Sequence, residues 1–211
     1  MGLKVLGVLA GRDLNLDELQ KWAQSCDVLY AADSAADRLV PLGFKPTVVG
    51  DLDSVDPSLL GSELRVVHSP DPDTTDCDKL LALVENDGHT ALTLACVEGD
   101  LLDHVLASLA SVARSDLDIR LVLRNAMGYV CRSGKSISIP KCFGKRVSLV
   151  PLAKSTGVVL QGVLWELSEA ILEPAGFLSV SNEGTGDVFV SIASGVCLLF
   201  IERSPMDSPC W

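Results

Sequence analysis

Gly50-Asp51-Leu52-Asp53-Ser54 and, further on, Asp71-Pro72-Asp73-Thr74-Thr75-Asp76-Cys77-Asp78-Lys79 decide how this chain is read. Each acidic cluster follows a short run that reads as a buried strand, Thr47–Gly50 and Leu64–His68. In an open α/β sheet, ligands bind at the carboxyl ends of the strands. Two carboxylate clusters at neighbouring strand ends therefore converge on one crevice. Uncompensated, these groups repel and raise one another's pKa. A hard divalent cation with oxygen ligands removes that repulsion, and Mg²⁺ bridging a polyphosphate is the common physiological case.

On the N-terminal side of these clusters, strand and helix patterns alternate. Leu3–Leu9 is a nearly unbroken apolar run, as expected for a strand covered on both faces. It is too short for a signal peptide or a membrane span and is ended by Arg12 and Asp13. Asn15 with Glu18 three residues on resembles a capping box, and Leu16, Leu19 and Ala23 continue the helical stripe. Asp27–Ala32 reads as a second strand with Asp33 at its carboxyl end, followed by a short helix from Ser34 to Leu39. The second acidic cluster opens another helix. Thr74 or Thr75 is its natural N-cap, and Leu80, Leu81, Leu83 and Val84 form its apolar face. Asp73 and Asp76 then lie near the positive end of the helix dipole. Ala91–Val97 is a further strand, and Asp103 and His104 open the helix after it. The alternation as far as Leu123 predicts a parallel sheet with crossover helices.

After Arg124 the texture changes. Gly128–Arg132, Ser136–Ile139, Arg146–Pro151, Gly157–Leu160, Phe177–Ser181, Val188–Ile192 and Val196–Glu202 are short, closely spaced runs with no helical stripe between them. They predict an all-β sandwich or barrel. The fold class is thus α/β: a parallel-sheet, Rossmann-like N-terminal domain over 1–125, then an all-β sandwich domain over 126–211. The tail from Ser204, with two prolines, reads as loose.

The bulk numbers set limits on partners. The chain has 211 residues, 48% hydrophobic and 21% charged, with a net charge of −11. That balance argues against nucleic acid or an anionic membrane as partner, both of which need basic patches. An anionic substrate then requires a metal or local Lys and Arg. The seven cysteines are odd in number and form no CxxC. They read as reduced, mostly buried thiols of a cytoplasmic protein.

Together these residues resemble the thiamine pyrophosphokinase family. Val49–Ser54 resembles its G-D-x-D-S motif, and Asp71–Lys79 its D-x-D-x-T-D-x-x-K motif. Asp33 stands where the family has Asp before two glycines, and Asp103-His104 resembles the D-H closing a glycine-rich turn. In the β half, Val147–Leu152, Gly162–Leu167 and Ser181-Asn182 follow in the family's order. The resemblance implies transfer of a pyrophosphoryl group from ATP to the hydroxyl of thiamine, with Mg²⁺ required. It also implies a homodimer with the active site at the subunit interface.

On this resemblance Asp51, Asp53, Asp71 and Asp73 hold one or two Mg²⁺, and either Asp71 or Asp73 orients or deprotonates the thiamine hydroxyl. Asp76 holds a ligand water or fixes the loop, and Lys79 reaches a phosphate or pairs with an Asp. Asp33, Ser54, Thr75, Asp103 and His104 fall to the nucleotide. Trp165 stacks on thiamine, and Ser181 and Asn182 bond its aminopyrimidine. Two departures stand out. Ser34-Ala35 replaces the two glycines, and Asp100-Leu101 replaces the usual Gly-Arg before Asp103. The lost guanidinium, a bidentate phosphate donor, leaves two alternatives: another acceptor or nucleotide, or a weakened enzyme that mainly binds. Lys79 and Arg38 are the candidate compensating cations.

Overall fold

The computed structural model describes residues 2–99, 101–205, 207–209 and 211. Asp100, one of the two departures, lies outside the described residues. The chain divides into two compact units. One comprises Met1–Arg124 with Pro205–Trp211, the other Asn125–Ser204.

The first unit is built on parallel strands β1 (Val5–Val8), β2 (Val28–Ala32), β3 (Thr47–Gly50), β4 (Val66–His68), β5 (Ala91–Ala95) and β6 (Asp118–Val122). Their order across the sheet is β4-β3-β2-β1-β5-β6. Helices α1 (Leu16–Ser25), α2 (Ala36–Leu39), α3 (Asp76–Asn86) and α4 (Leu102–Arg114) connect them. Helix α1 starts where its cap requires: Asn15 Oδ1 accepts the Glu18 N–H at 2.9 Å. Helix α3 lies against β2, β3 and α4, burying Leu80, Leu81, Leu83 and Val84. From β1 the chain first builds outward through β2, β3 and β4. It then crosses back to lay β5 on the other side of β1. The sheet therefore reverses direction between β1 and β5, and such a switch point opens a crevice at the carboxyl ends.

In the tail read as loose, Met206 and Cys210 lie outside the described residues, and Trp211 is held. The Trp211 ring meets that of Trp22 edge-on, with centroids 5.3 Å apart. Its Nε1–H donates to Ser25 Oγ at 3.2 Å.

The second unit is antiparallel. Its strands are β7 (Ala126–Arg132), β8 (Ser136–Ile139), β9 (Arg146–Pro151), β10 (Ser155–Val163), β11 (Leu167–Leu172), β12 (Ser179–Ser191) and β13 (Val196–Glu202). Strand β13 lies between β7 and β9. The long β12 pairs with β9 along its first part, and with β8 and β10 along its last. Leu149, Leu160, Leu172, Val188, Val190 and Leu199 are among the side chains of the buried core. Of the described cysteines, Cys77, Cys96, Cys131, Cys142 and Cys197 are buried free thiols, and Cys26 is a half-buried one.

Candidate active site

Three strand ends of the first unit turn sharply. Asp33 after β2, Leu52 after β3 and Cys96 after β5 all have positive φ, at 41°, 64° and 60°. Non-glycine residues in this region cost on the order of 1–3 kcal/mol each and persist only where their surroundings enforce them. The strain sits where the carboxylates are. Among the described residues, carboxylate oxygens of Asp33, Asp51 and Asp53 lie within 4.8 Å of one another.

Asp33 is the buried member, 2% exposed. Its Oδ1 is buried and has no hydrogen-bond partner. Burial, reinforced by the charges of Asp76 and Asp51, pushes its pKa up to about 6. Asp51 is held below the usual carboxylate range, first by the Asp53 backbone N–H and then by Lys79. Ser54 Oγ–H donates to Asp53 Oδ1 at 2.8 Å, so Ser54 orients a carboxylate here.

Lys79 projects from the first turn of α3, and its side chain is only 4% exposed. Its Nζ lies 3.4 Å from Asp51 Oδ2 and 3.5 Å from Asp76 Oδ1. Burial opposes its charge, but Asp76 and Asp51 outweigh that and raise its pKa. Burial also raises the pKa of Asp76, against the pull of Lys79. The start of α3 is fixed by a capping box. Thr75 Oγ1 accepts the Asp78 N–H at 3.0 Å, while Asp78 Oδ2 accepts the Thr75 N–H at 3.1 Å. Arg114 of α4 grips the same Asp78 at 2.8 Å.

A cavity of about 280 Å³ opens at the switch point. Gly11 after β1 and Cys96 and Val97 after β5 line it, facing Asp51, Asp71, Thr75, Asp76, Lys79 and His104. Its floor is thus strand-end backbone, and its walls are the first turns of α3 and α4. Asp71 faces the cavity with an exposed carboxylate whose Oδ1 accepts the Asp73 N–H at 2.9 Å. Asp73 and Asp103 are exposed and do not line the cavity. The Asp103 carboxylate accepts the His104 N–H at 3.1 Å.

The sequence reading sets Asp51, Asp53, Asp71 and Asp73 as the metal set and gives Asp33 to the nucleotide. Among the described residues, Asp33 lies with Asp51 and Asp53, while Asp71 faces the cavity. Arg38 is not placed as a spare cation. Its Nη1 donates to the Gly11 carbonyl at 2.8 Å, and its Nη2 to that of Leu14 at 2.6 Å. It therefore braces the loop that floors the cavity. Sequence reasoning gave Gly50 no role, although it stands inside the first motif. A β-carbon there would meet the Asp33 Cβ at 2.9 Å.

In the second unit Trp165 is 64% exposed and Ser181 is also exposed, with φ at 57°. Asn182, by contrast, is 3% exposed. Its amide bonds the backbone of Trp165, accepting the N–H at 3.1 Å and donating to the carbonyl at 2.8 Å.

The oxygen-only donor set of Asp33, Asp51 and Asp53 suits a hard divalent cation rather than a soft one. The unpartnered, buried Asp33 oxygen also fits this use, because a buried carboxylate oxygen without a partner is costly. Fold and site define an α/β protein with a carboxylate triad at its strand ends, joined to an antiparallel β unit. Residues 19–123 match the family model for the thiamin pyrophosphokinase catalytic domain, and residues 135–197 that for the thiamin pyrophosphokinase vitamin B1 binding domain. The chain belongs to the thiamin pyrophosphokinase family.

Solved structures share the fold. The thiamine pyrophosphokinase from Bacillus subtilis has a TM-score of 0.77 at 18% identity, over 95% of this chain and 99% of that one. The thiamin pyrophosphokinase from Candida albicans gives 0.78 at 15%, over 95% and 90%. That from Geobacillus thermodenitrificans gives 0.74 at 21%, over 99% and 100%. A comparison with curated proteins finds no match. No helix among the described residues is long and apolar enough to cross a membrane.

Proposed function

We propose that the chain is a thiamine pyrophosphokinase, moving the pyrophosphoryl group of ATP to the hydroxyl of thiamine to give thiamine diphosphate and AMP. The observation that carries this reading is the carboxylate triad beside the strand-end cavity, in a chain matched in order by both family domains. The first unit is read as a Rossmann-like nucleotide-binding domain. The second is read as a thiamine-binding β-sandwich, in which β12 passes from one sheet to the other.

Asp33, Asp51 and Asp53 would hold Mg²⁺, which when bound neutralises charge on the triphosphate. Asp71, with its carboxylate on the cavity, takes the proton of the acceptor hydroxyl. The hydroxyl oxygen bonds to the β-phosphorus while the bond from that phosphorus to the α,β-bridging oxygen breaks. AMP leaves with the bridging oxygen. Catalysis of such transfers is chiefly positioning and charge neutralisation. Lys79 keeps Asp51 and Asp76 in fixed places, and His104 and Thr75 wall the nucleotide. Trp165 offers its exposed ring to thiamine. Two copies of the chain form the working unit with the site at their interface, and the free thiols suit the cytoplasm.

The test is a product assay with Mg-ATP and thiamine. AMP and thiamine diphosphate should appear in equal amounts and be lost in Asp51→Asn. AMP without thiamine diphosphate would point to another acceptor. Neither product, with Mg-ATP still binding, would defeat the reading. Sedimentation of the purified protein at the mass of one chain would defeat the dimer.

A further inference from the structure

Asn182 ends a hydrogen-bond ladder in an unusual way. Strands β10 and β12 are paired at Val163 and Gly184. One residue further, the Leu164 N–H donates to the Glu183 carbonyl at 2.9 Å. At the next step the main chain of β12 no longer serves, because its register against β9 shifts between Ser179 and Asn182. Ser181 takes the left-handed conformation there. Its N–H turns to Ser148 Oγ, at 3.0 Å. The side chain of Asn182 takes over the ladder. Its Oδ1 accepts from Trp165 N–H and from Glu183 N–H, at 3.1 and 2.9 Å, and its Nδ2 donates to the Trp165 carbonyl at 2.8 Å.

An asparagine amide offers two donor and two acceptor positions, and these bonds take three of them. The next residue, Glu166, turns back so that its Oε1 accepts the Gly162 N–H at 2.9 Å. Gly162 itself has φ of 76°, and a β-carbon there would overlap the Asp187 carbonyl oxygen at 1.9 Å. The buried Asn182 amide on one side and the exposed Glu166 carboxylate on the other thus hold the main chain around an indole that is itself mostly in solvent. An exposed aromatic ring on a free loop loses rotational freedom on stacking, and a fixed main chain reduces that cost.

We propose that Asn182 is a positioning residue: it acts on the acceptor only through Trp165, whose ring it presents as a preset stacking platform, and makes no contact with the acceptor itself. The inference builds on the reading of Trp165 as the thiamine-stacking residue. Ser148 holds the strained Ser181 beside it in the same way, so the bulge and the Trp165 turn are two parts of one support.

The test pairs a spectroscopic reading with a kinetic cycle. The full chain is labelled with 5-fluorotryptophan, and the Trp165 signal is assigned by its loss in Trp165→Phe. Trp22 and Trp211, in the first unit, serve as internal controls of folding. In ligand-free Asn182→Ala the Trp165 ¹⁹F resonance should shift or broaden while the other two hold. An unchanged Trp165 resonance overturns the proposal. In the cycle, Asn182→Ala and Trp165→Ala should each raise the thiamine KM about tenfold, the size of a lost ring–cation contact, with kcat little changed. The double variant should be no worse than Trp165→Ala alone. Additive losses would mean that Asn182 touches the acceptor and would overturn the proposal.

Should Asn182→Ala not fold, Asn182→Asp keeps the shape and the accepting oxygen but sets a carboxylate oxygen against the Trp165 carbonyl. The same signal must then move. If the resonance moves but Trp165→Ala leaves the thiamine KM unchanged, the support stands and the thiamine reading of Trp165 falls.

Discussion

Gly50 and Asp33 face each other across neighbouring strands so closely that a β-carbon on Gly50 would stand 2.9 Å from the Asp33 Cβ and 3.1 Å from its Cγ. The glycine of the first acidic motif thus leaves room for a carboxylate on the adjacent strand. Gly50→Ala should push Asp33 away from Asp51 and Asp53 while leaving β3 paired. A displacement approaching 1 Å at a catalytic group costs on the order of 10²-fold in rate. The expected outcome is a turnover loss of that size and a higher Mg²⁺ requirement, with the thermal midpoint little changed. Equal Mg²⁺ titrations for both proteins would refute this account of Gly50.

Asp13 offers a test of stability against pH, away from the triad. It is 6% exposed, and neither carboxylate oxygen has a hydrogen-bond partner. Burial, with the nearby charge of Glu98 adding to it, raises its pKa from 3.8 to about 7. Between these values the folded protein binds more protons than the unfolded chain, so this group's contribution to stability falls as pH rises from about 4 to about 7. Above that range the loss is complete and constant. Asp13→Asn cannot ionise. Its thermal midpoint relative to the parent should therefore rise from pH 4.5 to about pH 7 and level off above it. A difference that does not vary with pH would show that Asp13 is not protonated in the fold.

Much of this architecture was legible because alternation and turn residues coincided. The bounds of β3, β8, β9 and β13 are those of their apolar runs. Strand β12 reads as two runs because Glu183-Gly184-Thr185-Gly186-Asp187 has the composition of a turn, yet it stays extended between partners on both sides. Strand β11 is invisible for a different reason. It is an edge strand with only Leu172 fully buried, so it lacks the pattern that burial imposes. At the site, motif spacing located the acidic clusters but not their partners. Asp33 follows a different strand from Asp51, and the parallel register of β2 on β3 brings the two strand ends together. Asn182 is given a thiamine contact by the family resemblance alone. Its three bonds to the backbone of Trp165 and Glu183 join residues 17 positions apart or on a bulged strand and have no signal in the sequence.

Leu101, where the family's usual turn carries Arg, caps α4 without a side-chain hydrogen bond and is 61% exposed. Restoring a guanidinium by Leu101→Arg sets two effects against each other. A cation at a helix N-terminus opposes the dipole and should lower stability by about 0.5 kcal/mol. A charge-assisted donor that reaches the phosphates from this turn should lower the KM for ATP, by roughly tenfold for one good contact. We expect a slightly lower thermal midpoint with a higher kcat/KM for ATP. An unchanged KM with the stability loss alone would show that α4 presents this position away from the phosphates.

Lys79→Met separates two roles of the buried amine. Met fills nearly the same space, and the partner carboxylates of Asp51 and Asp76 remain 38% and 44% exposed, so the fold should survive. As long as Lys79 is present, its charge competes with any cation for Asp51. Without it, Asp51 is freer to bind a metal, and the Mg²⁺ concentration for half-maximal rate should fall. Turnover should fall at the same time, by on the order of 10²-fold, because a fixed positive group beside the developing phosphoryl charge is gone. Opposite movements of these two quantities are the signature of a lysine that both restrains the carboxylates and serves the reaction. If half-saturation by Mg²⁺ rises instead, Lys79 assembles the metal site, and its ion pairs are a scaffold for the triad.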